Sequence, residues 1–135
     1  MNEFYNREHN MNDQQIETEI QTKGLTAPRV TPQDIEANIA SEVFFTAEHG
    51  VEGAIASGQL HARYHDEHHG NGPLGLLTFC VLVLRNGFTV TGESACASPE
   101  NFDAELGRKI ARANAVNKIW PLLGYALKQK LHENR

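Results

Sequence analysis

The chain has 135 residues, 40% of them apolar and 21% charged, which is typical of one globular domain and excludes a fully disordered chain. Its formal net charge of −5 argues against a general binder of DNA or of anionic membranes. There is no apolar run near the length of a membrane span and no N-terminal signal peptide. We therefore expect a cytoplasmic protein whose two cysteines, Cys80 and Cys96, are free thiols.

The predicted elements begin with an N-terminal arm, residues 1–24. Asp13 can cap a short helix that carries Ile16 and Ile20 on one side, and the arm is expected to be either this helix or poorly ordered. Residues 25–135 are expected to form a single α+β domain.

That domain is predicted to open with a helix. Thr31 supplies a capping hydroxyl and Pro32 the first helical position, after which Ile35, Ile39 and Val43 recur at helical spacing. The apolar segment that begins at Val43 either ends this helix or starts a strand. The glycine-rich and histidine-rich segment that follows is expected to be a loop.

Two apolar runs, residues 76–84 and 88–96, are separated by Asn-Gly and predict a β-hairpin. A two-residue turn would place Val83 opposite Val90. One hairpin face is then expected to lie in the core, and the other, half-apolar face to be covered by a helix or by another subunit of a homo-oligomer. The predicted core face carries Leu77, Phe79, Val81, Val83, Phe88 and Val90.

Ser98 and Pro99 predict the start of the last helix, which is expected to end near residue 131 and to kink at Pro121. The predicted fold is therefore α+β. It consists of N-terminal helices, a central antiparallel β-hairpin or small sheet, and a long kinked C-terminal helix packed on it.

Two arginines of the last helix are the first candidates for ligand binding. Arg108 and Arg112 lie four residues apart, with Ala115 and Ile119 on the same side of the helix. Guanidinium groups bind phosphate oxygens bidentately, and an unpaired arginine on an apolar surface is costly. A salt bridge to Glu105 or to an acidic residue of the N-terminal helices explains the same pattern and stays open.

The segment 98–102 is a second candidate, because free N–H groups at a helix start favour an anion. Asn101 offers an amide to a base or a ribose, and Phe102 offers a ring for stacking. Helix capping together with one core aromatic is the structural alternative.

The histidines are a third candidate. His61, His65 and His68 would share one side of a helix within residues 59–72 and suit zinc, although a solvated polar loop matches the flanking glycines better. The chain has no nucleophile elbow, phosphate-binding loop or dinucleotide fingerprint. We therefore expect no catalytic residue, no metal site, no cofactor and no enzymatic activity.

Two long segments resemble a family of small phage proteins that was long described only as being of unknown function. They are residues 27–47, APRVTPQDIEANIASEVFFTA, and residues 77–128, LTFCVLVLRNGFTVTGESACASPENFDAELGRKIARANAVNKIWPLLGYALK. The resemblance covers about residues 25–130, and the family is identified as including the first-type Thoeris anti-defence sponges.

The resemblance implies a phage anti-defence protein of the infected bacterial host's cytoplasm that sequesters cyclic ADP-ribose immune signals without cleaving them. Some relatives also hold cyclic oligonucleotides, and such proteins assemble as dimers or hexamers. The resemblance implies that Arg108 and Arg112 contact the diphosphate and adenine, with Asn101, Phe102 and Thr91 as further contacts.

Two other functions stay open at the level of sequence. A protein-binding phage module that inhibits a host protein would use the exposed hairpin face. A zinc-dependent protein would use the histidines.

Overall fold

A computed structural model of the chain describes residues 12–63 and 72–135. It contains a three-stranded antiparallel sheet in the order β1-β2-β3, and the long helix α4 packs on one face of that sheet. This confirms the predicted α+β fold. The elements are α1 (Asp13–Thr22), α2 (Pro32–Ala37), β1 (Ile39–Thr46), α3 (Ala47–Ala56), β2 (Leu77–Leu84), β3 (Thr89–Ala95) and α4 (Ala104–Glu133), with short 3-10 turns at Pro73–Leu76 and Pro99–Asn101.

Capping residues fix where the N-terminal helices begin. The side chain of Asn12, and not that of Asp13, caps α1 by accepting the Gln14 N–H at 2.8 Å. At α2, the Thr31 hydroxyl accepts the Asp34 N–H at 3.1 Å and the Asp34 carboxylate accepts the Thr31 N–H at 2.9 Å. This reciprocal pair confirms the predicted start of α2.

The predicted length of α2 is wrong, because the helix ends at Ala37 and strand β1 begins at Ile39. Of the three apolar residues at helical spacing, only Ile35 lies on the helix, where it is 1% exposed. The β-branched and aromatic residues from Val43 onward favour a strand. In the structure this strand pairs with β2 along nearly its whole length, so tertiary pairing overrides the helical period.

The expectation of a loop after β1 is also wrong in part, because residues 47–56 form helix α3. Its start is fixed by Thr46, whose hydroxyl accepts the His49 N–H at 3.2 Å, while His49 Nδ1 accepts the Thr46 N–H at 3.1 Å. Histidine here takes the third helical position that Glu or Gln usually occupies in a capping box. The glycines within α3 had concealed the helix from sequence reasoning.

The hairpin between β2 and β3 forms, but its register differs from the prediction by one residue. Leu84 and Phe88 pair around a three-residue loop, with the Leu84 N–H donating to the Phe88 carbonyl at 2.8 Å. Gly87 has φ +90, which is the left-handed residue that closes such a loop with a bulge. As a result Leu82, and not Val83, faces Val90.

A one-residue slip moves every side chain of a strand to the other face relative to its partner, so the predicted core face is wrong for β2 and right for Val90 of β3. The face buried against α4 is formed in β2 by Cys80, Leu82 and Leu84, each at most 4% exposed, and in β3 by Val90. The half-apolar face, which we had expected either a helix or another subunit to cover, is covered by the chain's own helix α4.

The outer face of the sheet, defined by Val43, Phe79, Val81, Val83 and Thr91, points away from α4. Val43 is 51% exposed there, and the other four are partly exposed.

Helix α4 lies unusually close to β3 because the contact is made by small residues. Ala111 and Ala115 are both fully buried. A Cβ atom added to Gly92 would lie 2.1 Å from the Ala111 carbonyl oxygen and 2.3 Å from the Ala115 nitrogen. Only glycine fits at this position of the strand.

Helix α4 continues through Pro121 as one helix, and the kink expected there stays a prediction. Within residues 12–63 and 72–135, no helix combines the length and the apolar character that crossing a membrane requires.

Candidate functional site

A cleft of about 310 Å³ lies where the end of β1 and the start of α3 meet the first turns of α4. Its volume is at the lower end of the roughly 300–1,000 Å³ typical of small-molecule sites. We call it the Arg108 cleft. It is lined by Phe44, Phe45, Thr46, Glu48, His49, Gly75, Thr78, Phe102, Ala104 and Arg108.

Two residues of the predicted site, Arg108 and Phe102, meet in this cleft. Arg108 is exposed and takes part in none of the hydrogen bonds or ion pairs found among the described residues. Phe102 is half-buried and precedes α4, where its N–H donates to the Pro99 carbonyl at 3.2 Å. The cleft therefore combines an unpaired cation with an aromatic ring, which suits a ligand that has both an anionic and a planar part.

The capping interaction of His49 determines which of its nitrogens can serve a ligand. Because Nδ1 accepts the Thr46 N–H, a neutral imidazole carries its proton on Nε2 and donates from there. Glu48 adds a carboxylate to the lining, and a Cβ at Gly75 would come within 3.1 Å of its Oε2 oxygen. The cleft thus offers both donors and acceptors around Arg108.

Arg112 lies one turn further along α4 and does not line the cleft. Its Nη1 and Nη2 atoms donate to both carboxylate oxygens of Glu36 at 3.0 and 2.8 Å, and its Nε donates to Glu42 at 2.6 Å. These contacts match the salt bridge to acidic N-terminal residues that we had given as the alternative to ligand binding by Arg112.

The contacts of Arg112 shift the ionisation of the groups involved. Hydrogen bonding to Arg112 lowers the pKa of Glu36, and hydrogen bonding to Glu36 raises the pKa of Arg112 well above its ordinary value. Both groups are therefore charged across the physiological range.

Burial raises the pKa of the nearby Cys80 thiol to about 11, which keeps this cysteine neutral and unreactive.

The anion site expected at residues 98–102 is not built as predicted. Ser98 makes no side-chain capping bond and begins only a 3-10 turn. Helix α4 starts at Ala104, and its cap is Asp103, whose carboxylate accepts the Leu106 N–H at 3.0 Å. This carboxylate takes one of the free N–H groups at the helix start and places a negative charge beside the others, which disfavours an anionic ligand there.

Asn101 and Thr91 are not brought to the cleft. Asn101 is exposed in the 3-10 turn and is not a lining residue. Thr91 lies on the outer face of the sheet, where its hydroxyl donates to Glu93 at 3.4 Å. The sheet itself separates Thr91 from Arg108, because the two lie on opposite sides of it.

Sequence reasoning missed the part of the cleft that β1, α3 and β2 supply. Phe44, Thr46 and Thr78 belong to strands whose position relative to α4 depends on the sheet register. The spacing Thr46-x-x-His49 was a usable signal, since it is a capping box with histidine in place of glutamate.

Two of the three histidines considered for zinc, His65 and His68, lie outside the described residues. Among the described residues there is no group of three or more His, Cys, Asp or Glu side chains that could hold a metal ion.

Comparison with known proteins identifies a family for this chain. The model of the phage protein (N4 Gp49/phage Sf6 gene 66) family matches residues 30–131, which is most of the chain and includes the whole sheet, Arg108 and Phe102. Searches of curated proteins and of solved structures find no significant match. The chain therefore belongs to the phage protein (N4 Gp49/phage Sf6 gene 66) family.

Proposed function

We propose that this phage protein binds a cyclic ADP-ribose signal in the Arg108 cleft and holds it uncleaved, as an anti-defence sponge in the cytoplasm of the infected host. The observation that carries the proposal is the meeting of Arg108 and Phe102 in one cleft. Arg108 has no protein partner among the described residues, so its guanidinium is available to an anionic ligand.

The lining of the cleft matches the chemical groups of such a ligand. Arg108 suits the diphosphate, and the ring of Phe102 suits the adenine. The Nε2 proton of His49 and the carboxylate of Glu48 are able to serve ribose hydroxyls as donor and acceptor. The proposal includes no catalytic role for any of them.

Arg112 has a different part in this proposal from the one that family resemblance implied. To bind a diphosphate it would have to leave Glu36 and Glu42, which already satisfy its three donor nitrogens. We assign it instead to holding α2 and β1 against α4, and β1 supplies one wall of the cleft. Of the arginines and the aromatic residue that were predicted to bind the ligand, we therefore assign only Arg108 and Phe102 to ligand contact.

Titration calorimetry of the full chain with cyclic ADP-ribose isomers tests the proposal. A sponge must bind tightly, and a Kd near 1 nM corresponds to roughly 12 kcal/mol. Heating the complex and analysing the released ligand by mass spectrometry then distinguishes holding from cleavage. We expect intact cyclic ligand to be recovered in full.

The variant Arg108→Ala is expected to weaken binding at least tenfold, about 1.4 kcal/mol. Lys109→Ala is the matched control, because Lys109 is the next residue, is 72% exposed and, among the described residues, pairs only with Glu105 one turn away on the same helix. The proposal fails if no isomer gives heat, if the ligand is released in cleaved form, or if the two variants bind alike.

The outer face of the sheet favours one alternative function, that of a module that binds and inhibits a host protein. Val43 is 51% exposed on this face, and the rings of Phe45 and Phe79 contact each other beside it, tilted by 30° with their centroids 5.6 Å apart. If this alternative is correct, Val43→Asp abolishes the protein's effect in the host and Arg108→Ala leaves it unchanged. The sponge predicts the reverse.

A further inference from the structure

Helix α3 is one wall of the Arg108 cleft, to which it contributes Glu48 and His49. In the part of the chain that the structure describes, none of the ten residues of α3 is buried, whereas each of the other three α-helices buries at least one residue. Its two largest apolar side chains, Val51 and Ile55, are only half-buried. Packing therefore gives α3 little of the stability that most helices in proteins obtain from a buried face.

Two glycines weaken α3 further. Gly50 and Gly53 lie in its interior, and glycine is one of the least favourable residues in a helix. Apart from the helix's own backbone, no described atom lies within 4 Å of a Cβ atom added at either position, so no close contact requires glycine there, unlike at Gly92. The sequence thus keeps α3 weak at two positions where a better helix former would fit.

Local hydrogen bonds nevertheless determine where α3 begins and ends. At its start, His49 Nδ1 accepts the Thr46 N–H at 3.1 Å. At its end, Gly58 has φ +80 and its N–H donates to the Ile55 carbonyl at 3.0 Å, which is a common way for a glycine to terminate a helix. The segment therefore has one defined helical state, although that state has little support from packing.

His49 belongs both to this helix and to the cleft. Its Nδ1 atom accepts the Thr46 N–H only in the neutral tautomer that carries the proton on Nε2. A ligand that accepts a hydrogen bond from Nε2 stabilises this tautomer, and with it the cap of α3. When α3 is not formed, Glu48 and His49 have no fixed place in the cleft. Ligand binding and the formation of α3 therefore favour each other.

We propose that α3 is a wall of the Arg108 cleft that is ordered by ligand binding, and that His49 is the residue that positions it. In the free chain α3 exchanges between a formed and an unformed state, and only the formed state presents the complete cleft. The apparent affinity is then lowered by the fraction of chains in which α3 is formed. This inference rests on the proposed function, because the ligand is the same cyclic ADP-ribose signal.

Hydrogen exchange of the free full chain, followed by mass spectrometry, tests the state of α3 without a ligand. The amides of residues 47–56 should exchange at least about a hundredfold faster than those of residues 107–119, which contain the buried part of α4. Exchange of α3 as slow as that of residues 107–119 would show that the wall is permanently formed, and the inference would be wrong.

Two substitutions of His49 test its positioning role in the same measurement. His49→Ala should accelerate the exchange of α3, because the Thr46 N–H loses its acceptor. His49→Gln should bring the exchange back towards the wild-type rate, since glutamine commonly occupies this position of a capping box. Equal exchange in the two variants would show that His49 does not position α3.

Calorimetry with cyclic ADP-ribose isomers tests the coupling to the ligand. The double variant Gly50→Ala, Gly53→Ala favours the formed helix without a steric clash, so we expect it to bind at least about threefold more tightly than the wild type. Gly124→Ala is the matched control. Gly124 is also inside a helix and has the same open space, but it does not line the cleft, so this variant should bind like the wild type.

Added ligand should also slow the exchange of residues 47–56 in the wild type. If the isomers bind but the double variant gains no affinity, or if the ligand leaves the exchange of α3 unchanged, the wall is not coupled to the ligand. This inference is then wrong and the proposed function stands. If no isomer binds to any of these proteins, the proposed function and the coupling are both wrong.

Discussion

Arg108 and Arg112 lie four residues apart on the same helix, yet their surroundings differ. Arg112 is 30% exposed and is held by two carboxylates, whereas Arg108 is exposed in a cleft beside Phe102. Spacing along a helix predicts which side two residues share. It does not predict which of them meets an acidic residue that is distant in sequence, and Glu36 and Glu42 are about seventy residues away from Arg112.

Substituting each arginine by alanine should therefore affect stability differently. Arg112→Ala removes three charge-assisted hydrogen bonds, but Glu36 and Glu42 are 57% and 43% exposed and regain hydration, so we expect a loss of about 1–2 kcal/mol. Arg108→Ala should change the free energy of unfolding by less than about 0.5 kcal/mol. Urea denaturation at neutral pH measures both, and equal losses would show that the assigned roles are wrong.

At the scale of elements, the presence of the helices and strands was more predictable from sequence than the way in which they pack together. The start of α2 and the hairpin followed from local signals, namely a capping box and Asn86-Gly87. The core face of β2 did not, because Cys80 and Leu82 alternate with Phe79 and Val81 and both faces are apolar. Only the three-residue loop and the close approach of α4 decide between them, and neither is a property of β2.

Because packing depends on residues that are distant in sequence, only part of the cleft was predictable from the sequence. Arg108 and Phe102 are close together in sequence around the start of α4, so a local argument found both. Thr91 was chosen without a known register, and the sheet places it on the opposite side from the cleft. Phe44 and Thr78 come from strands that meet α4 only in the folded chain.

The contact between β3 and α4 gives a prediction at this scale. Gly92→Ala should destabilise the fold by at least about 3 kcal/mol, since the added Cβ meets backbone atoms of Ala111 and Ala115 that cannot rotate away. The control is Gly124→Ala, where nothing lies within 4 Å of the added atom and better helix propensity should stabilise by up to about 1 kcal/mol. Thermal unfolding followed by circular dichroism compares them, and a Gly92→Ala protein as stable as wild type would contradict this packing.

At the scale of the whole molecule, the acidic N-terminal elements are attached to α4 by polar contacts as well as by the burial of Ile35 in the core. Asp13 accepts the indole N–H of Trp120 at 3.2 Å, and Glu36 and Glu42 bind Arg112. Glu17 is 7% exposed and pairs with Arg29, a pairing that places α1 beside the residues that precede α2. The acidic N-terminal elements are therefore packed against a basic helix within one chain.

These contacts should make the folded state sensitive to acid. Hydrogen bonds to Arg112 and Arg29 lower the pKa values of Glu36 and Glu17 below their ordinary value of 4.5. The unfolded chain then binds more protons than the folded one as the pH falls below about 4.5, so the stability present above that pH is progressively lost. For the half-exposed Glu36 the loss should be about 1 kcal/mol.

Urea unfolding between pH 7 and pH 3 measures this loss, and Trp120, the chain's single tryptophan, reports the contact with α1 by its fluorescence. Glu36→Gln should start from a lower stability at pH 7 and lose less of it on acidification than the wild type. Glu105→Gln is the control, because Glu105 is 72% exposed and its one ion pair in the described part of the chain lies within α4, so its profile should follow the wild type. If Glu36→Gln also follows the wild-type profile, the contact between Glu36 and Arg112 does not contribute to holding the N-terminal elements on α4.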